Sequence, residues 1–177
     1  MTSRIWMVLS LVVTCLVAAV ALAGVYGITK PVIEKQAADA VNAALSEVLP
    51  SAERFEPVEP DSLWYGLDAA GQKVGIVLRT APRGYGGPVT TMAGVGLDGR
   101  VIGVKVAAEG LKETPGLGLK ALEPRFRDQF TGKTAAEVRL RKDGGTVDAI
   151  SAATITSRAV AQGLSSAIEK YASHLAP

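Results

Sequence analysis

Four hydroxyl side chains, Ser151, Thr154, Thr156 and Ser157, fall within seven positions of the segment Asp148-Ala149-Ile150-Ser151-Ala152-Ala153-Thr154-Ile155-Thr156-Ser157, just before a stretch of helical periodicity. Such hydroxyls serve two chemistries. They can cap the orphan N–H groups that open a helix. They can also join those N–H groups and the helix dipole in an anion site, as donors to a phosphate. Small Ala152 and Ala153 would let a ligand approach the backbone, and spacing alone leaves both readings open. A second set, Glu113-Thr114-Pro115-Gly116-Leu117-Gly118, puts a carboxylate and a hydroxyl on a sharply turned Gly/Pro loop. A third, Arg83-Gly84-Tyr85-Gly86-Gly87-Pro88, rings one aromatic with glycines, suited to stacking on a planar ring system or to a mobile loop.

Other chemistries are poorly served. The 19 basic and 17 acidic side chains are interspersed and give a net charge of +2, with no basic stripe for nucleic acid. The single cysteine, Cys15, lies in an apolar segment, which leaves no intramolecular disulfide and no cysteine metal cluster. The one histidine, His174, stands near the C-terminus, so zinc hydrolysis and Ser-His-Asp catalysis lack their usual residue. No metal site is expected, nor any catalytic acid, base or nucleophile acting on a substrate.

The elements that must carry these residues divide into two kinds. Residues 5–28 hold no charge and are mostly apolar; as a helix they exceed the roughly 30 Å hydrocarbon core. They read as a transmembrane anchor over residues 1–30, in contact with lipid, with Trp6 at the interface. Ala21-Leu22-Ala23 resembles a signal-peptidase site, but the apolar run continues through Val25, Tyr26 and Ile28, longer than a signal h-region. Pro31 fits a first helical position, and Ile33, Ala37, Val41, Ala44, Leu45 and Val48 continue as an amphipathic linking helix over residues 31–50.

Residues 51–177 form one further domain. Strands are predicted at 63–67, 73–80, 89–97 and 101–107, joined by short turns at Gly71 and Asp98-Gly99, which favours an antiparallel meander. A short helix is expected over 121–130, a strand over 137–141, a turn at 142–145 and a last short strand over 147–150. From Thr156 to Ala172, Val160, Leu164, Ala167, Ile168 and Tyr171 line one face of a final helix. Trp64, Phe126 and Tyr171 read as core, and Lys112, Lys120 and Lys142 as solvated surface. The fold class is α+β, a mostly antiparallel sheet with flanking helices, preceded by one N-terminal transmembrane helix.

Taken in order, T-K-P-x-I-E after the span, the G-Y-G-G-P loop, E-T-P-G-L-G, F-x-D-Q-F-x-G-K at 126–133 and K-D-G-G-x-V-D-A-I-S-x-A-T-x-T-S at 142–157 resemble the G subunit of the Rnf ion-translocating electron-transport complex. The resemblance extends to the C subunit of the sodium-pumping NADH:quinone reductase and runs from the anchor almost to the C-terminus. It implies FMN esterified through its phosphate to Thr154. A flavin transferase that uses FAD and magnesium and releases AMP would make the linkage. It further implies Ser151, Ala152, Ala153 and Thr156 beside the linkage and Asp148 in the transferase recognition pattern. Tyr85, Glu113, Thr114, Gly116, Leu117 and Gly118 would lie around the isoalloxazine or ribityl chain.

The function so implied is a membrane-anchored flavoprotein that relays electrons within a redox-driven ion pump linking ferredoxin and NAD, beside the other membrane subunits of that complex. It would be a single-pass protein of the cytoplasmic membrane with its flavin domain on the periplasmic or extracellular side, an electron-transfer subunit rather than a stand-alone enzyme. The alternative is an extracytoplasmic flavin-binding sensing or assembly module without redox turnover. One residue departs from the family pattern, which has glycine where this chain has Ala152. If that position takes a positive φ, the alanine is strained; if helical or extended, it is nearly harmless.

Overall fold

The computed structural model describes residues 2–175, and the chain divides near Asn42 into two compact units. A single helix, α1 (Thr2–Val48), makes up the first unit and enters the second with its last turns. In the first unit the apolar side chains from Ile5 to Ile33 are exposed, a surface that only a nonpolar medium covers favourably, and the helix fits a membrane span. Pro31 does not start a separate helix, as its position in the sequence suggests, but sits inside α1. It gives up one bond, to the Gly27 carbonyl. The Thr29 hydroxyl bonds further back, to the Val25 carbonyl at 2.9 Å, and does not replace it.

The second unit is built on a five-stranded antiparallel meander in the order β1 (Arg54–Glu59), β2 (Leu63–Leu67), β3 (Lys73–Thr80), β4 (Thr91–Gly96) and β5 (Val101–Val106). The Asp98-Gly99 turn joins β4 to β5 as expected. Gly99 takes φ 75°, and the Asp98 carboxylate accepts the Arg100 N–H at 3.1 Å. β1 has no counterpart among the expected strands. Its sequence, Arg-Phe-Glu-Pro-Val-Glu, carries a proline and three charges, which suits an edge strand bonded on one side only.

Three expectations between β5 and the last helix are corrected. Residues 118–130 form two 3-10 turns around a four-residue helix, α2 (Pro124–Arg127), because Pro124 cannot continue the turn before it. Residues 137–141 and 147–150 are not strands. They share one parallel bridge, Leu140 to Val147, and a 3-10 turn at Arg141–Asp143 follows the first. The alternation of buried Val138 and Leu140 there comes from an irregular segment lying on the core. The final helix, α3 (Thr154–Lys170), starts two residues earlier than its apolar periodicity indicates.

Because successive strand residues point to opposite faces, the sheet presents two different surfaces. On one, Ile76, Leu78, Ala93 and Val95 pack with Val160, Leu164 and Ile168 of α3, all buried. Each such side chain contributes about 1.5–3 kcal/mol by leaving water. The other face carries glycines paired across strands, Gly66 with Gly75 and Gly94 with Gly103. They floor a trough for the end of α1 and the residue after it. A Cβ at Gly94 would stand 2.1 Å from the Val48 carbonyl oxygen, and one at Gly66 2.4 Å from the Leu49 side chain. Leu45, Val48 and Leu49 are fully buried in this seat, beside Trp64, Val77 and Met92. Glu47 clamps it, accepting from Lys105 at 2.6 Å and Arg127 at 3.2 Å. The bond from Lys105, then the nearby charges, hold the Glu47 carboxyl below the usual carboxylate range.

Candidate functional site

Helix α3 opens without a side-chain cap. Its N-cap residue is Ala153, and none of the four hydroxyls of the segment satisfies the first-turn N–H groups. Each hydroxyl has a different situation. Ser157 Oγ accepts the Ile150 N–H and donates to the Ala153 carbonyl, both at 2.9 Å, closing the approach to the helix. Thr156 is 1% exposed and its hydroxyl donates to Glu113 Oε2 at 2.9 Å. Ser151 is exposed, and Thr154, the first helical residue, is half-buried. The backbone reaches this arrangement through a turn in which the Ala153 N–H bonds the Ile150 carbonyl at 3.0 Å. Ala152, third in that turn, takes φ 61°. The condition for strain at position 152 is therefore met. An alanine held left-handed costs about 1–2 kcal/mol relative to a right-handed geometry, a penalty glycine escapes.

Beside this helix start lies a cavity of about 460 Å³. The helix side supplies Ala152, Ala153, Thr154, Ile155 and Thr156; the opposite side supplies Tyr85 from the glycine loop and Glu113, Thr114, Leu117 and Gly118 from the Gly/Pro loop. Three segments far apart in sequence thus meet. Gly116 does not line the cavity; at φ 76° it turns the loop instead. Ser151 and Asp148 line neighbouring hollows instead, one of which Ala152 and Thr154 also border, and Asp148 pairs with Arg141 at 2.6 Å. Lys120 and Lys142 are exposed residues lining those hollows, and Lys112 is exposed next to Glu113. Ile155 is absent from the expected set. It lines the cavity and is 53% exposed, a large apolar side chain left in water just after Thr154. Its position between two hydroxyl residues was the available signal.

Glu113 holds the cavity's walls together. It is 7% exposed; Oε1 accepts the N–H groups of Tyr85 at 2.9 Å and Gly86 at 3.2 Å, and Oε2 accepts the Thr156 hydroxyl. The surrounding glycines are required by this carboxylate and its loop. A Cβ at Gly84 or Gly118 would meet Glu113 oxygens at 2.5 or 2.3 Å, and one at Gly86 would overlap the Lys112 carbonyl. No Lys or Arg lines the cavity among the described residues. Its chemistry is therefore that of a partly apolar slot with exposed Tyr85, Leu117 and Ile155, a hydroxyl at a helix N-terminus, and uncapped N–H groups that favour an anion.

The turn preceding the segment is tied to α3 by a bidentate ion pair, Arg158 Nε to Asp143 Oδ2 at 2.8 Å and Arg158 Nη2 to Oδ1 at 3.1 Å. The guanidinium's hydrogen bonds hold the Asp143 carboxyl below its ordinary range and push the Arg158 group upward.

Residues 84–169 match the FMN-binding domain family, from the glycine loop to the penultimate residue of α3. The G subunit of the proton-translocating ferredoxin:NAD(+) oxidoreductase complex of Clostridium ljungdahlii is 32% identical over 91% of this chain and 88% of that protein. The G subunit of the ion-translocating oxidoreductase complex of Methanosarcina acetivorans is 37% identical over 92% of this chain and 91% of its own length. Among solved structures, the C subunit of a Na(+)-translocating NADH-quinone reductase from Parabacteroides distasonis superposes with a TM-score of 0.50 at 24% identity, covering 65% of this chain and 62% of that one. That likeness concerns the fold.

Proposed function

The chain belongs to the family of G subunits of ion-translocating oxidoreductase complexes, and from that premise we propose that it relays electrons through an FMN joined by a phosphoester to Thr154. The observation that carries the choice of residue is the contrast between the two threonines of α3's first turn. Both border the cavity, but Thr154 is half-buried at the helix start, whereas Thr156 is 1% exposed with its hydroxyl engaged by Glu113.

The residues present suit such a group. A phosphodiester keeps one negative charge, which the uncapped N–H groups and the dipole of α3 offset without a cationic side chain. Tyr85, Leu117 and Ile155 offer apolar surface to a planar ring, while Glu113 and Thr114 supply the polar lining. When bound, FMN supplies electron transfer, and this chain's residues orient it and set its surroundings. Ser151, Ala152 and Asp148 flank the attachment on the outer side of the turn, open to the flavin transferase that would deliver the group. Helix α1 would hold the flavin domain at the membrane, beside the other subunits of the complex, on its periplasmic or extracellular side.

The test is the mass of the peptide spanning Thr154 from cells that contain the transferase. FMN on that peptide, surviving denaturation, is expected. Flavin that washes out on denaturation would favour a sensing or assembly module instead, and an unmodified, colourless chain would defeat the covalent reading. Protease treatment of oriented vesicles tests the side: digestion of the flavin domain from the outer face is expected, and protection there would reverse the orientation.

A further inference from the structure

We propose that Glu113 is the positioning residue of this cavity, a latch that fastens the Tyr85 loop and the first turn of α3 to one point and biases the flavin toward a lower reduction potential by its charge. The second half rests on the reading of the cavity as the FMN site; the first half does not.

The latch follows from geometry. The 83–88 loop carries three glycines and lies between β3 and β4. Apart from its closing bonds, Gly84 N–H to the Gly87 carbonyl and Val89 N–H to the Pro82 carbonyl, its anchorage is the pair of N–H groups that Glu113 accepts. Those two bonds hold the backbone at Tyr85, a residue 72% exposed at the cavity. Glu113's other oxygen holds Thr156, in the same helical turn as Thr154 but directed inward. Glycines at 84 and 118 allow the carboxylate to sit this close to both loops. One loop 27 and 28 residues before Glu113 and a helix start 43 residues after it therefore share one anchor on the Gly/Pro loop.

The electrostatic consequence follows from what is missing around that anchor. Glu113 makes no ion pair among the described residues; its three partners are neutral donors. Neutral donors reduce the field of a buried carboxylate only in part, and adding an electron to a group beside it is opposed by the remainder.

Two measurements on the full chain in detergent test this. In the flavin-free protein, amide exchange at Tyr85 and Gly86 should quicken by about tenfold or more in Glu113→Ala, since each loses a hydrogen bond to a charged acceptor, while β3 and β4 keep their protection. In Glu113→Gln it should stay near wild type. The amide oxygen still accepts both N–H groups, and the Thr156 hydroxyl can turn to accept from the new NH2. Unchanged exchange in Glu113→Ala, or loss of protection throughout the sheet in both variants, would overturn the latch. In the flavin-loaded protein, Glu113→Gln should raise the midpoint potential without altering exchange at Tyr85 and Gly86. An unchanged or lowered potential would overturn the charge bias. Failure to load flavin on Thr154 would instead count against the proposed function and leave the exchange result to decide the latch.

Discussion

The two faces of the sheet solve opposite problems. The face that seats α1 is made by removing side chains: four glycines let a helix end come down onto the strands, and Leu45, Val48 and Leu49 fill the trough. The face that carries α3 is made by adding them, with Ile76, Leu78 and Val95 against Val160 and Leu164, and it leaves the helix start free of caps beside a cavity. Close packing has no tolerance for an added atom. The cavity edge has some, because loops joined by hydrogen bonds relax at lower cost than a filled core.

Substitutions should separate these faces. The largest effect on stability is expected at the seat. Gly94→Val would drive side-chain atoms into the Val48 carbonyl and should cost about 3 kcal/mol or more, read as a lowered denaturation midpoint. A change below about 0.5 kcal/mol there would mean that the helix end is not held against the sheet.

Next comes the strained turn. Ala152→Gly should stabilise the domain by about 1 kcal/mol by relieving a left-handed alanine, offset in part by the freedom glycine gains when unfolded. Destabilisation would show that the alanine methyl makes a contact worth more than the strain.

A smaller loss is expected from Asp143→Asn, which breaks the half-exposed pair with Arg158, and it should depend on pH. Asp143's carboxyl is lowered by that pair, so the contribution is complete above the ordinary aspartate value of about 3.9 and is lost as pH falls through the lowered folded value. Thermal midpoints of the two proteins should differ at neutral pH and converge in acid. A constant difference across that range would assign the effect to something other than the ion pair.

The smallest stability change belongs to the residue with the largest proposed role. Thr154→Val should stay within about 0.5 kcal/mol of wild type, because its side chain caps nothing, yet abolish covalent flavin. Covalent flavin retained on a neighbour would move the attachment, and a large loss of stability would make Thr154 a structural residue.

Much of this architecture is legible because its signals are local. The charge-free run marks the apolar helix, Asp98-Gly99 marks a hairpin, and the spacing of Val160, Leu164 and Ile168 marks the buried face of α3. β1 is not legible, since Pro57 and three charges disguise an edge strand. The segment at 137–150 misleads for the converse reason: alternating apolar residues with a single bridge and no extended ladder look like a strand when only residue types are seen. At the cavity, the hydroxyl cluster, the Gly/Pro loop and Tyr85 stand out by residue type, but Ile155 does not, because an isoleucine at a helix start ordinarily reads as core.

Residue types and their spacing yield a set of parts: an apolar helix long enough to cross a membrane, a meander, and three chemically distinctive segments in an order shared with a family. These depend on side-chain chemistry and near neighbours, which composition and spacing record directly. How they combine is set by the fold. It turned Thr156 inward onto a carboxylate 43 residues away, left Thr154 beside the cavity, and gave Ala152 a left-handed backbone. It also made a seat from glycines on four different strands. Each of these follows from contacts between segments distant in the chain, and a hydroxyl's chemistry depends less on its neighbours in sequence than on what the fold sets against it.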